Sequence, residues 1–220
     1  MNHLELFSGT HSFGKVSSKV GYNVISLDRD LGAECPFKSG YKSKTHIKED
    51  IMTWDYKQYP KGHFKLITAS PVCVWWSPIR KTNYGKKLKI HNGLVFNEKL
   101  LYEDIEKYGV PMVDKVFEII DYFKPQYFII ENPKLGCMKG YINDLIPYTD
   151  ADYCRYGFNY KKPSRFWTNI KFEGLTCNHK KHLETGCGGN GKKKGRGGGS
   201  NRLPRYVMPQ KLIEDILNKI

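Results

Sequence analysis

The chain has 220 residues, enough for one sizeable domain with a small appendage. Its content of 40% hydrophobic and 14% aromatic residues excludes a disordered composition and allows a packed core. A formal net charge of +14, from 36 Lys+Arg against 22 Asp+Glu, creates a field that attracts polyanions. Nucleic acid is the leading partner on that ground, although a lysine-rich proteome would leave the same excess on an ordinary soluble protein. No apolar run is long enough to span a bilayer, and the N-terminus lacks a basic-then-apolar signal pattern. Six cysteines (Cys35, Cys73, Cys137, Cys154, Cys177 and Cys187) are spread without a disulfide framework. This reads as a soluble intracellular protein, a monomer with reduced thiols.

In chain order, Leu4 to Phe7 reads as a strand entering a turn at Ser8-Gly9. A helix from Ser12 to Val20 and a strand from Tyr22 to Leu27 complete a unit of about 30 residues, the size of a βαβ motif. His46 to Asp50 and Leu66 to Ala69 read as further strands. Pro111 to Phe123 has helical periodicity through Met112, Val113, Val116, Phe117, Ile120 and Phe123. Tyr127 to Ile130 is a strand ending at Glu131, and Pro209 to Ile220 a final helix. Strands alternating with helices predict an α/β fold with a mostly parallel sheet.

Residues 78–97 carry Arg80, Lys81, Lys86, Lys87 and Lys89 among Gly and Asn, which reads as a basic, mobile loop, either solvated or in contact with phosphate. Residues 185–200 are mostly Gly and Lys, the composition of a flexible segment.

In open α/β sheets, ligands bind beyond the C-terminal ends of the strands. Ser8, Asp28, Asp50, Cys73 and Glu131 each follow a strand candidate and so share one rim. The stretch from Phe7 to Gly14 places glycines where a backbone can approach a ligand closely. Asp28, ending the second strand, suits ribose hydroxyls, and Asp50-Ile51 lies where a carboxylate meets an adenine amino group. Together they point to a nucleoside-containing cofactor.

The segments LELFSGTHSFG, TASPVCVWWS, FIIENP and YGFNYKKPSRFWTN occur in that order and at fitting spacing. In this the chain resembles the cytosine-C5 DNA methyltransferases, in the short form found in phages and large DNA viruses. The resemblance covers most of residues 3–170, with a weaker echo in residues 201–217. It implies a Rossmann-like fold, DNA as partner, and a location in the cytoplasm or nucleus of a host cell. It implies S-adenosylmethionine bound near Phe7, Ser8, Gly9, Thr10, Ser12, Asp28, Asp50, Ile51 and Pro71. It makes Cys73 the nucleophile, Glu131 the partner of cytosine N3, and Arg165 the residue holding the base. The chain departs from the pattern at Val72, where Pro is usual before the cysteine, and at His11, where Gly is usual. Pro133 follows Glu131-Asn132, and the Gln-x-Arg-x-Arg motif has Lys162 and Arg165 as its nearest equivalents.

The chemistry explains the residue types. Cytosine C5 is too weak a nucleophile to attack a methylsulfonium directly. A cysteine thiolate adding at C6 turns the ring into an enamine and can leave again afterwards. A protonated carboxyl at N3 stabilises that adduct, and the apolar residues before Glu131 predict the desolvation that keeps a carboxyl protonated. The target base has to be flipped out of a duplex, with Trp75 and Trp76 available either to stack or to pack in the core.

Cys177, His179, His182 and Cys187 are zinc-ligand types in non-standard spacing, and an unmetallated loop is the expectation, with no metal assigned. The predicted organisation is therefore a catalytic domain over 1–172, a small basic Cys/His/Gly-rich target-recognition-like segment over 173–205, and a C-terminal helix over 206–220. The same chemistry on RNA, or an inactive nucleic-acid-binding homologue, are the competing readings. A zinc deaminase lacks its H-x-E and P-C-x-x-C signature here.

Overall fold

The fold is that of a computed structural model, which describes residues 1–29, 45–158, 160–178 and 207–220. Strand β1 (Asn2–Leu6) is buried on both faces, as a central strand of a parallel sheet must be. Helix α1 (Ser12–Lys19) returns the chain to β2 (Asn23–Leu27), which pairs in parallel with β1, and β3 (Thr45–Ile47) adds to the outer edge of β2. β4 (Leu66–Ala69) pairs with the other side of β1 and with β5 (Tyr127–Pro133). The sheet is completed by β6 (Tyr148–Asp152) and β7 (Pro163–Thr168), giving the order β3-β2-β1-β4-β5-β7-β6. Among the described strands β7 alone runs against the direction of the others, pairing antiparallel with both β5 and β6.

Helices cover both faces of this sheet. Between β4 and β5 lie α2 (Glu98–Asp104), a π-helical turn at Ile105–Gly109 and α3 (Val110–Phe123). Asn97 caps α2 by accepting the Leu100 N–H at 3.0 Å. Buried Val113, Val116, Ile119 and Phe123 give α3 one apolar stripe, which packs with Leu6, Ile67, Ile130 and Trp167 in one layer of the core. On the opposite face, α1 contributes Phe13 and Val16, and α5 (Gln210–Leu217) contributes Leu212, Ile213 and Ile216, against Val24, Ile129 and Phe166. The short α4 (Lys139–Ile142) follows β5.

The alternation expected from sequence is present, with shifted ends. The third strand stops at Ile47, so Asp50 lies three residues beyond it. Residues 78–97 are more built than the expected loop. They hold 3-10 turns at Pro78–Asn83 and Lys89–His91, a bridge between Lys87 and Val95, and a fully buried Phe96. Arg80 anchors the segment: it is buried, pairs with Asp104, and lies over the rings of Trp75 and Phe96. Residues 185–200, and His179, His182 and Cys187 of the Cys/His cluster, lie outside the described residues. Among the described residues no group of three side chains could hold a metal ion, and no helix is long and apolar enough to cross a membrane.

Candidate active site

The strand order reverses between β1 and β4, which opens a crevice at the C-terminal ends of these strands. The turn after β1 lines one side. Phe7, Gly9 and His11 all have left-handed backbones, at φ 54°, 45° and 53°. His11 thus tolerates the conformation that makes Gly usual at its position. The Ser8 N–H donates to the Leu27 carbonyl at 3.0 Å, the Gly9 N–H to the Asp28 carboxylate at 2.9 Å, and the Asp28 N–H to the Ile47 carbonyl at 3.1 Å. These bonds stitch the ends of β1, β2 and β3 into one rim. Asp50 accepts the Met52 N–H at 3.0 Å and lies 3.5 Å from Arg29, while Ile51 is buried behind it. The hydroxyls of Thr10 and Ser12 are 2.8 Å apart, and Ser12 accepts the Met208 N–H at 3.0 Å, so these two also tie the turn to the C-terminal helix. The Ser8 hydroxyl is buried and has no protein partner among the described residues, which leaves it able to bond a ligand.

Beneath the turn lies a polar network that the sequence patterning does not reveal. Glu5, buried in β1, accepts the Gly14 N–H at 2.9 Å and the Ser26 hydroxyl at 3.0 Å. The His11 ring lies 3.5 Å from its carboxylate. Although burial works the other way, His11, His3 and the Gly14 amide hold the Glu5 carboxyl below its usual range. His3 bridges the Ser17 and Thr68 hydroxyls at 2.8 Å each, and burial pushes its pKa down to about 4. Gly14 is required here, since a Cβ would come within 2.6 Å of Glu5 Oε2.

Across the crevice, the chain leaving β4 forms the turn that carries Cys73. The Asn132 amide donates to the Pro71 carbonyl at 2.8 Å, the Trp76 N–H to the Cys73 carbonyl at 3.1 Å, and the Cys137 N–H to the Trp76 carbonyl at 2.7 Å. Trp76 is 2% exposed and so belongs to the core, whereas Trp75 is half-buried and stacks on Tyr108 with centroids 4.5 Å apart. Glu131 is 5% exposed, receives the Tyr153 hydroxyl at 3.2 Å and has the Lys162 ammonium at 3.8 Å. Burial raises the pKa of the Cys73 thiol, the charge of Glu131 raises it further, and Lys162 opposes both. Cys73, Glu131, Tyr153 and Lys162 are therefore one electrostatic unit.

Arg165 is not part of that unit. In the register of β5 against β7 it faces Asn132, while Glu131 faces Phe166. Alternation along a strand then puts Arg165 and Glu131 on opposite faces of the sheet. The Arg165 guanidinium donates to both Asp150 oxygens, at 2.7 and 2.9 Å, and to Asn143 at 3.2 Å, and lies over the Tyr148 ring. The cation that the structure brings to Glu131 is Lys162. Tyr153 is the residue sequence reasoning missed; its only advance signal is its place nine residues before the Lys-Pro-Ser-Arg segment.

A solved structure of the Entamoeba histolytica methyltransferase EhMeth superimposes with a TM-score of 0.52 at 15% identity, covering 80% of this chain and 57% of that one. A DNMT2 mutant from Spodoptera frugiperda is similar at a TM-score of 0.49 and 14% identity, over 79% of this chain and 53% of that one. The chain thus spans little more than half the length of either. Strand order and the likeness to EhMeth together define a Rossmann-like methyltransferase fold. No protein-family model matches the chain. It is 32% identical, over 99% of both lengths, to a Frog virus 3 (isolate Goorha) protein named probable DNA (cytosine-5)-methyltransferase. The chain belongs to the DNA (cytosine-5)-methyltransferase family.

Proposed function

We propose that this chain transfers a methyl group to C5 of cytosine in DNA through a covalent adduct between Cys73 and cytosine C6. The observation that carries the reading is the electrostatic pairing of a half-buried thiol in the turn after β4 with a buried carboxyl in β5. S-adenosylmethionine fits the rim formed by Phe7, Ser8, Gly9, Asp28, Asp50 and Ile51, where the Ser8 hydroxyl lacks a partner among the described residues. When bound it supplies a methyl group on a sulfonium, an electrophile that needs no further activation. Thr10 and Ser12 support the turn, and Pro71 offers its carbonyl to Asn132 and so holds the nucleophile turn against β5.

Within the site, the Cys73 thiolate bonds to C6 and the displaced electron pair reaches N3, which takes a proton from Glu131. C5 is now an enamine carbon and acquires the methyl group. Loss of the C5 proton to a base then expels Cys73, and Glu131 recovers its proton. A negative Glu131 and a thiolate oppose each other, so the proposed step uses the thiolate together with a protonated carboxyl, the arrangement free of that repulsion. We assign the cation beside the base to Lys162, and to Arg165 the role of a strut holding β7 to β6. Asp28 and Asp50 are the candidate ligands for ribose and adenine. The net charge of +14 supports a polyanionic substrate.

Transfer of labelled methyl from S-adenosylmethionine to duplex DNA, beside RNA and a Cys73→Ser variant, tests this. Cysteine-dependent 5-methylcytosine in DNA is the expected product. Label in RNA alone would transfer the chemistry to another substrate. No label, with cofactor and DNA still bound, would make the chain an inactive binding homologue.

A further inference from the structure

The hydroxyl of Tyr153 needs explaining. The side chain is 0% exposed and packs edge-on against Phe158, a setting a phenylalanine would fill equally well. A buried hydroxyl is costly unless bonded, and this one, beside the Ser164 side chain, donates to Glu131 Oε1 at 3.2 Å. Lys162 reaches the same oxygen at 3.8 Å and sits 4.6 Å above the Tyr153 ring. The backbone fixes this pair: the Tyr153 N–H donates to the Lys162 carbonyl at 3.2 Å, and the Phe158 N–H to the Tyr153 carbonyl at 3.3 Å.

We propose that Tyr153 is a positioning residue that divides the two oxygens of Glu131, holding Oε1 as an acceptor and leaving Oε2 to carry the proton for cytosine N3. The inference rests on the reading of Cys73 and Glu131 given above. An acidic proton on Oε1 would face a hydroxyl donor and a cation, so it resides on Oε2. When the Cys73–C6 bond forms, the electron pair arriving at N3 takes that proton. The carboxylate left behind is stabilised by the Tyr153 hydroxyl and the Lys162 ammonium already in place. When Cys73 departs, the proton returns to Oε2, so the exchange is balanced and needs no other reagent. Burial and the Glu131 charge raise the tyrosine pKa well above its usual value, so Tyr153 remains a donor throughout the working range. It never touches the base; it acts through Glu131.

The test is the pH dependence of single-turnover methylation of cytosine-containing duplex by the full chain and by Tyr153→Phe. The proposed step spends a proton carried by Glu131, so the rate should fall on the alkaline side of the profile. Removing a donor to the carboxylate favours its protonated form. The alkaline limb should therefore shift to higher pH by about one unit, with the plateau rate about tenfold lower. The KM for S-adenosylmethionine should stay unchanged. Lys162→Met, which addresses the same oxygen from a less buried position, should shift the limb in the same direction, and it decides the matter if melting curves show Tyr153→Phe to be unfolded. A plateau lowered with the limb unmoved in the folded variants overturns the inference, since a packing defect alone produces that pattern. Absence of Cys73-dependent transfer in the unaltered chain would overturn the underlying reading and the inference with it; transfer with an unmoved limb overturns the inference alone.

Discussion

At the scale of single residues, the site is a competition for one negative charge. Burial and Glu131 push the Cys73 thiol up, and Lys162 pulls it down. Replacing Glu131 by Gln removes the second of these and should lower the thiol pKa, so the variant alkylates with iodoacetamide at a lower pH than the unaltered chain. Lys162→Met should move the alkylation curve the other way. Equal curves for all three proteins would mean that the groups do not share a site. Cys73 and Glu131 are legible in the sequence because each follows a short apolar strand, where polar residues reach the rim. Tyr153 is not, and Lys162 is legible only as a motif equivalent, because their meeting depends on how the chain between β6 and β7 folds back on Glu131. Arg165 shows the same limit: motif spacing brings it near the site, but β-sheet register turns it to the other face.

At the scale of elements, β1 combines two functions that its sequence hides. It is a central strand, yet it carries His3 and Glu5 inward, where an apolar pattern would be expected. The gain is a polar scaffold under the turn that follows it. Gly14→Ala would place a Cβ 2.6 Å from Glu5 Oε2, an oxygen already bonded to Ser26. The variant should lose about 2–3 kcal/mol in urea unfolding through overpacking and a disturbed buried bond. A loss below about 0.5 kcal/mol would show that Glu5 can swing aside. His3 makes the same scaffold sensitive to acid. Its pKa is about 4 when folded against 6.5 as the reference, so the unfolded chain binds more protons between these values. Stability should therefore fall as pH drops from 6.5 toward 4, by on the order of 3 kcal/mol from this residue. Glu5, whose folded pKa is depressed, adds loss at still lower pH. A flat profile from pH 7 to 4 would contradict the burial of a neutral His3. The βαβ start, α3 and α5 are readable from periodicity alone. β6 and β7 are not, because β7 reads as part of a motif and owes its place to pairing with β5.

At the scale of the whole molecule, sheet order, rim and charge act together. The switch between β1 and β4 brings the turn after β1 and the turn carrying Cys73 to one crevice, and the +14 net charge supplies a field that attracts polyanions. Binding to duplex DNA should weaken at least about tenfold between 50 and 200 mM salt, as counterion release requires. A salt-insensitive affinity would separate the charge from the function. Composition makes this property visible from the start, whereas the crevice needs the strand order.

The central claim is the covalent bond from Cys73 to cytosine C6, and its most direct test is trapping with duplex DNA carrying 5-fluorocytosine. Fluorine at C5 cannot leave as the proton does, so the adduct persists after methylation. With S-adenosylmethionine present, mass spectrometry should find one DNA strand bonded to the peptide containing Cys73, and none in Cys73→Ser. An adduct at another residue, or turnover to 5-methylcytosine in ordinary DNA by Cys73→Ser, would contradict the account.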